Sequence, residues 1–528
     1  MVDQFSATQQ VRKPAVSSKG GIVAAQSRRA AEVGAGVLAA GGDCVDAVIA
    51  TTFALGTLEP WMSGLGGGGA MVLYRARENR YEVIDYGMRA PNSLRVEDYP
   101  LTEGAASDIF PWPRVRDDRN LHGPGSIAVP GVVAGMEEAH RRHARMPWKE
   151  LVAPGARLAG EGLLVDWWTT LMISSSAVDL RRYPASAAAY LQSGLPPNPQ
   201  WGIKSVVRMP QDKLKATLEQ LAARGPRDFY EGELARSISA DIKAAGGALS
   251  VEDLAAFSAH HREPLQIPYR GGKVFATPEL TAGPTLASTL RRLQDKLSPG
   301  RAPDASAYSE YALALQSAYR ERLSDMGDAD GRRALGAEHL APACTTHFAV
   351  VDKGGNMAAV TQTLLSTFGS KFVTPATGIT MNNGIMWFDP TPGVPNSLAP
   401  GKRCLTNYTP VVAEAADGRR LAVGASGGRR ILPAVTQLLS FVMDFGMDLD
   451  AAIHQPRIDA SEGAIVIGDV RLPSAVHDAL RSRFDYEQAR IQTFPMKFAC
   501  PSAVMRQGAI NSGATESAQP WGDAVAEV

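Results

Sequence analysis

The 528-residue sequence predicts an α+β fold. Three observations carry that expectation. Strand patterns follow one another in quick succession between residues 346 and 426, residues 145–260 read mostly as helix, and the strands of the second half read as hairpins instead of the strand–helix alternation of a parallel sheet.

A polar lead, residues 1–20, comes first. Residues 20–60 then give two helical patterns separated by Gly41-Gly42 and Asp43, a C-terminal stop followed by an N-cap. "AMVLYRARENRYEVIDYG" (70–87) alternates as a hairpin. The helical tract 145–260 is broken by Pro-rich loops such as "SGLPPNPQW", residues 260–278 read as strands, and residues 285–297 and 306–326 as helices. A Gly/Ala/charged connector at 326–344 is expected to be mobile. Behind it, residues 346–352, 357–363, 378–388, 406–415 and 419–426 read as strands, and 430–446 as a helix.

Composition removes several function classes. Lys+Arg 54 balances Asp+Glu 54, so the chain carries no electrostatic footprint for nucleic acid or an anionic membrane surface. Cys44, Cys344, Cys404 and Cys500 are scattered, without the spacing of a metal site or a disulfide framework, and are expected to be free thiols; no metal is implied. The N-terminus lacks the apolar core of a signal peptide, and no stretch has the length of a membrane span, so a cytoplasmic protein is expected.

Three motifs carry chemistry. "GLGGGG" (64–69) satisfies G-x-G-x-x-G but follows a helix and precedes a strand, the reverse of dinucleotide-binding order, and is expected to be a tight loop packed close to other backbone. "GASGG" (424–428) follows a strand and precedes a helix. Ser426 could therefore be an elbow nucleophile, with Asp444, Asp459, His454 and His477 downstream, or the glycine amides could form a nest for an oxyanion, or the stretch could be a plain turn.

The third motif is "CTTHFAVVDKGGNMAAVTQT" (344–363). Folding this hairpin about "KGGN" brings Thr363 within about one residue of Thr345. A hydroxyl beside a free backbone amine can serve as nucleophile and base together, provided the preceding peptide bond is cut. The α-amine has a reference pKa of about 7.7–8.0, suited to a base near neutrality. Against this, threonines at a strand start are also what β-propensity favours.

"TTHFAVVDKGGN", "VTQT", "FGS", "MNN", "PGKRCLTNYTP" and "GASGGRRI", with "AGGDCVDAVIA", "GLGGGGAMVLY", "PGSIAVPG" and "LTAGPTLA" upstream, resemble in order the γ-glutamyltransferase (glutathione hydrolase) family of N-terminal nucleophile hydrolases. The resemblance implies a four-layer αββα sandwich with a helical large-subunit portion. It implies a proenzyme that cuts itself between Cys344 and Thr345 into a large subunit (1–344) and a small one (345–528) that stay associated, and it leaves a homo-oligomer of that pair open. By the same resemblance Thr345 is the nucleophile, Thr363 the threonine that hydrogen-bonds it, and Gly427 and Gly428 hold the oxyanion. No cofactor is implied.

The substrate-gripping positions depart from the family. Where it carries an Arg, an Asn, a Gln, an Asp and a Ser-Ser pair for the γ-glutamyl zwitterion, this chain has Gly87, Leu365, Gly384, Trp387 and Thr406-Asn407. Each lost charge-assisted contact costs about 1.5–3 kcal/mol. The expected substrate is therefore a small acyl amide without a free α-amino group, as in the family's cephalosporin acylases or oxamate amidohydrolase, bound by Thr406, Asn407, Trp387 and Arg89. The alternatives are a true γ-glutamyltransferase with a rebuilt pocket, and a Ser426 hydrolase.

Overall fold

Two helices open the fold as their stop and start signals require. Arg28–Ala39 ends before Gly41, which takes φ +93°, and Cys44–Leu58 begins at an Asp43 cap whose carboxylate accepts from the amides of Val45 (2.8 Å) and Asp46 (3.4 Å). The Asp46 carboxylate in turn accepts from the Asp43 amide at 2.8 Å, completing a capping box. Every residue of Cys44–Leu58 is buried, as befits a helix apolar around its whole circumference.

The computed structural model describes residues 8, 10–105, 110, 112–199, 206–329, 343–491 and 497–528. Two seven-stranded antiparallel sheets dominate it. The first runs, in spatial order, Asp523–Ala526, Ile22–Ala25, Ala343–Val351, Met357–Ser366, Gly68–Arg75, Arg80–Tyr86 and His260–Arg262. The second runs Val16–Ser18, Ile510–Thr515, Cys500–Gln507, Arg420–Ser426, Val411–Glu414, Gly272–Ala276 and Leu265–Tyr269.

Side chains of alternate strand positions fill the space between the sheets, among them Ile22, Val72, Phe275, Val412 and Val504. On its outer face the first sheet packs against Arg28–Ala39, Cys44–Leu58 and Val132–His143, with Trp148–Glu161 stacked outside Cys44–Leu58. The second packs against Gly283–Lys296 and Ile431–Met443, with Ala305–Asp325 stacked outside Gly283–Lys296. The result is helix, sheet, sheet, helix, the expected four layers. Among the described residues no helix is long and apolar enough to cross a membrane.

One expected strand is absent. Residues 378–388 form only isolated bridges, at Thr380 and Met381, followed by a 3-10 turn at Gly384–Trp387. The cause lies in two buried asparagines that take over main-chain partners. Asn382 Oδ1 accepts from the amides of Ala128 (3.0 Å) and Gly384 (2.8 Å), and its Nδ2 donates to the Gly66 carbonyl (2.7 Å). Asn383 Oδ1 accepts from Ser366 N at 3.1 Å while its Nδ2 donates to Leu121 O at 3.0 Å. Side-chain amides that satisfy the backbone in this way displace a ladder. Of the connector expected over 326–344, residues 330–342 lie outside the described residues.

Candidate active site

The site begins where the central hairpin loses register. Cys344 pairs with Leu365 and Thr346 with Gln362, so Thr345 faces the two residues Thr363 and Leu364 across a bulge. Thr345 Oγ1 donates to Thr363 Oγ1 at 3.2 Å. Thr363 Oγ1 in turn donates a short hydrogen bond to the Cys344 carbonyl and accepts from the Leu365 amide at 2.8 Å. The second threonine thus joins the hydroxyl of Thr345 to the carbonyl of the peptide bond just before it, and both threonines are buried.

The floor of this arrangement is close-packed backbone. A Cβ on Gly67 would come within 2.4 Å of the Thr363 carbonyl, which is why the glycine-rich loop 64–69 can approach there and why no side chain is tolerated. Behind Thr363, Leu365 holds φ +87°. A left-handed conformation in a branched residue is strained, and such strain concentrates where a site must be held open.

Gly427 (φ +132°) and Gly428 (φ +62°) end the Arg420–Ser426 strand and lead through a 3-10 turn, Gly428–Arg430, into Ile431–Met443. That turn packs against the strand carrying Thr345. Amides at the start of a helix suit a developing negative charge. Ser426 itself is buried and accepts from Gln26 Nε2 at 2.5 Å. The histidines an elbow would need are engaged elsewhere: His454 Nδ1 lies 2.7 Å from the Asp450 carbonyl, and His477 Nδ1 lies 2.5 Å from the Tyr486 hydroxyl. Asp444 accepts from Tyr269 and Arg270.

The expected binding residues fall into two pockets. Trp387 and Asn407 line the first, together with Tyr319, Arg322, Leu405 and Arg429. Leu365, Trp387, Phe110, Trp112 and Tyr408 form one apolar cluster, so this wall is greasy, as Leu365 and Trp387 predict. Gly87, Arg89 and Thr406 line the second pocket with Asp85, His260 and Arg403. Arg89 Nη2 lies 3.4 Å from His260 Nε2, and Thr406 Oγ1 donates to the Leu280 carbonyl at 3.2 Å. Arg89 and Thr406 are therefore not brought beside Trp387.

Two functional candidates escaped the sequence reading. Arg322 is 3% exposed and donates to the carbonyls of Thr281 (2.9 Å) and Thr406 (2.6 Å) and to Asn407 Oδ1 (3.3 Å). Burial pushes its pKa down to about 10, opposed by Tyr319, with the charge of Arg429 adding to the depression. Arg429, also 3% exposed, sits with its guanidinium 5.2 Å above the Tyr319 ring. A signal for it existed: it directly follows Gly427-Gly428 in the turn that packs against the strand carrying Thr345.

Two buried titratable groups flank the threonines. Burial pushes the His347 imidazole down to about 3, so it is neutral, and its Nδ1 lies 2.8 Å from Thr361 Oγ1. Burial also raises the Glu59 carboxyl to about 8, against the opposing hydrogen bond from Thr346 Oγ1 at 3.4 Å.

Two facing antiparallel sheets between helical layers, with a threonine pair at the mouth of the central hairpin, define an αββα enzyme of the N-terminal nucleophile hydrolase type. The chain belongs to the gamma-glutamyltranspeptidase family, whose model matches residues 30–343 and 332–526. It is 32% identical over 501 residues to the acylase ACY 1 proenzyme of Pseudomonas sp. (strain V22), covering 89% of this chain and 88% of that protein. It is 28% identical over 488 residues to the glutathione hydrolase proenzyme of Bacillus subtilis (strain 168), covering 83% and 80%. Among solved structures it resembles a cephalosporin acylase from Bacillus halodurans, with a TM-score of 0.84 and 25% identity over 100% of this chain and 99% of that one. The homologues are hydrolases and acyltransferases.

Proposed function

We propose that this protein is a self-processing amidohydrolase that acts through an acyl-enzyme on a small acyl amide. The observation that carries the proposal is the Thr363 hydroxyl, bonded on one side to Thr345 Oγ1 and on the other to the Cys344 carbonyl. In the uncut chain Thr345 Oγ attacks that carbonyl. The hydrogen bond from Thr363 favours the charge developing on its oxygen. The peptide nitrogen leaves as the α-amine of Thr345, and water then hydrolyses the ester, releasing Cys344 as a carboxylate.

The products are residues 1–344 and 345–528. They share both sheets, because Ile22–Ala25 and Gly68–Arg75 flank the Thr345 hairpin and Gly272–Ala276 pairs with Val411–Glu414, so strand pairing supports their staying together.

In the mature form the freed amine takes the proton of Thr345 Oγ as it attacks the substrate amide. The amides of Gly427 and Gly428 receive the oxyanion, the leaving amine departs with a proton, and water or an amine releases the acyl group. The greasy wall at Leu365 and Trp387, and Gly87 in place of an arginine, support an acyl group without the α-amine and α-carboxylate of a γ-glutamyl unit. The rival reading, a γ-glutamyltransferase with a rebuilt pocket, predicts faster release from γ-glutamyl-p-nitroanilide than from simple acyl anilides.

Intact-mass measurement and N-terminal sequencing test the proposal. A fragment beginning Thr-Thr-His-Phe is expected, absent in Thr345→Ala together with all amidase activity. An active protein consisting of one continuous polypeptide would overturn it.

A further inference from the structure

When the Cys344–Thr345 bond breaks, its nitrogen must take a proton to leave as an amine. The hydroxyl proton of Thr345 is directed elsewhere, since Thr345 Oγ1 donates to Thr363 Oγ1 and Thr363 Oγ1 donates to the Cys344 carbonyl. A second donor is therefore needed beside the bond. The turn that ends the helix Cys44–Leu58 brackets it. Trp61 and Met62 share an apolar cluster with Cys344 and Phe368, and their carbonyls accept from the amides of Phe368 and Leu364, each at 3.1 Å. Glu59, at the start of the same turn, meets the residue on the far side of the bond: Thr346 Oγ1 and Glu59 Oε2 lie 3.4 Å apart.

Glu59 is 0% exposed, and its Oε1 has no partner among the described residues. A carboxylate there would be poorly solvated, so burial raises the group to about 8, with the Thr346 hydrogen bond opposing, and the carboxyl keeps its proton at neutral pH. Of the titratable groups around it, Cys500 on the second sheet is a thiol pushed up by burial first, with the charges of Glu516 and Glu59 adding and those of Arg457 and Lys13 opposing. His347, next after Thr346 in the strand, is held neutral by burial. Glu59 is thus a protonated acid, one hydroxyl away from the cleavage site, that no step described above uses.

Resting on the self-processing half of the proposed function, we infer that Glu59 supplies, through the Thr346 hydroxyl, the proton that the Thr345 nitrogen takes as the Cys344–Thr345 bond breaks. With its proton on, the carboxyl donates to the Thr346 hydroxyl, which passes its own proton to the nitrogen one residue back along the chain. As Thr345 Oγ bonds to the Cys344 carbonyl carbon, the hydroxyl proton moves through Thr363 to the carbonyl oxygen. The C–N bond then breaks while the nitrogen takes the proton of Thr346, which is refilled from Glu59. The ester carbonyl re-forms as the hydroxyl on that carbon releases its proton to water, and the Glu59 carboxylate takes one back from water. One proton leaves and one returns, so the shift from amide to ester consumes none.

Full-length chain made by cell-free translation and diluted into buffers from about pH 6 to about pH 10, with uncut and cut chains followed on a denaturing gel, tests this. The wild-type rate of cutting is expected to fall above about pH 8, where Glu59 loses its proton. In the nearly isosteric Glu59→Gln, cutting at neutral pH is expected to be slower by about tenfold or more, without that fall. Glu59→Asp should restore part of the rate together with a falling limb, and Thr346→Val should be slowed as Glu59→Gln is. Equal rates in wild type and Glu59→Gln overturn the inference alone, and so does a rate lowered equally at every pH, as a loosened fold would give. A wild type that cuts with the expected profile but hydrolyses no anilide supports the inference, and only the acyl-amide half of the proposed function then fails. A wild type that never cuts overturns both.

Discussion

The mouth of the central hairpin and the pocket walled by Trp387 are built on opposite principles. At the hairpin, small hydroxyls and bare backbone set the geometry: Thr345 bonds Thr363, Gly67 lies against the Thr363 carbonyl where no side chain fits, and Gly427 and Gly428 hold positive φ. In the pocket, bulky side chains from distant segments set the character, with Leu365 and Trp387 supplying apolar surface and Arg322 and Arg429 supplying charge. The first region admits almost no substitution without losing chemistry. On the proposed function, the second is the part that can be rebuilt, residue by residue, to accept another acyl group.

That contrast can be broken by substitution. Thr363→Ala removes the hydrogen bond to the Cys344 carbonyl and the one to Thr345; self-cleavage and turnover are each expected to fall by about 100-fold, read by intact mass over time and by kcat, with KM little changed. Trp387→Asp places a carboxylate in the pocket wall. It should raise the preference for γ-glutamyl over pentanoyl anilide by about tenfold or more, as a charge-assisted contact to the substrate amine would, while lowering Tm because a charge enters the apolar cluster. A preference that does not move would mean that the pocket is not where the acyl group lies.

The flanking groups sharpen the comparison through pH. His347 titrates near 3 when folded against 6.5 unfolded, so the unfolded chain takes up the proton first and stability falls as pH drops from 6.5 to 3. Glu59 titrates near 8 against 4.5, so the unfolded chain releases its proton first and stability falls as pH rises from 4.5 to 8. The two oppose each other between 4.5 and 6.5. Glu59→Gln is expected to abolish the decline above pH 6.5 in the urea midpoint while leaving the acid limb intact. The smallest effect belongs to Ser426→Ala, which loses one hydrogen bond from Gln26 and should keep activity within a few-fold of the wild type; abolished activity would revive the elbow.

How far the sequence could be read depended on the distance between the residues concerned. The threonine pair was legible because a hairpin turn and period-two register are local rules, and the bulge moved the outcome by only one position. The glycine-rich loop was legible because its neighbours had the wrong order for a nucleotide site. The strand expected at 378–388 failed because its alternation looked right while Asn382 and Asn383 had partners in residues 66, 121 and 128 that no local pattern displays. Arg89 and Thr406, close in the resemblance to substrate-binding positions, line a different pocket from Trp387.

By itself the sequence determined the order of helices and hairpins, the family, and the residues able to do chemistry, since these follow from periodicity, turn residues and short motifs that each span a few positions. Only the tertiary structure decided which side chains share a pocket. Arg322 comes from a helix before the connector and Arg429 from a turn after it, and both line one pocket because two sheets and their helices bring these distant segments together, a property of space and not of any stretch of chain.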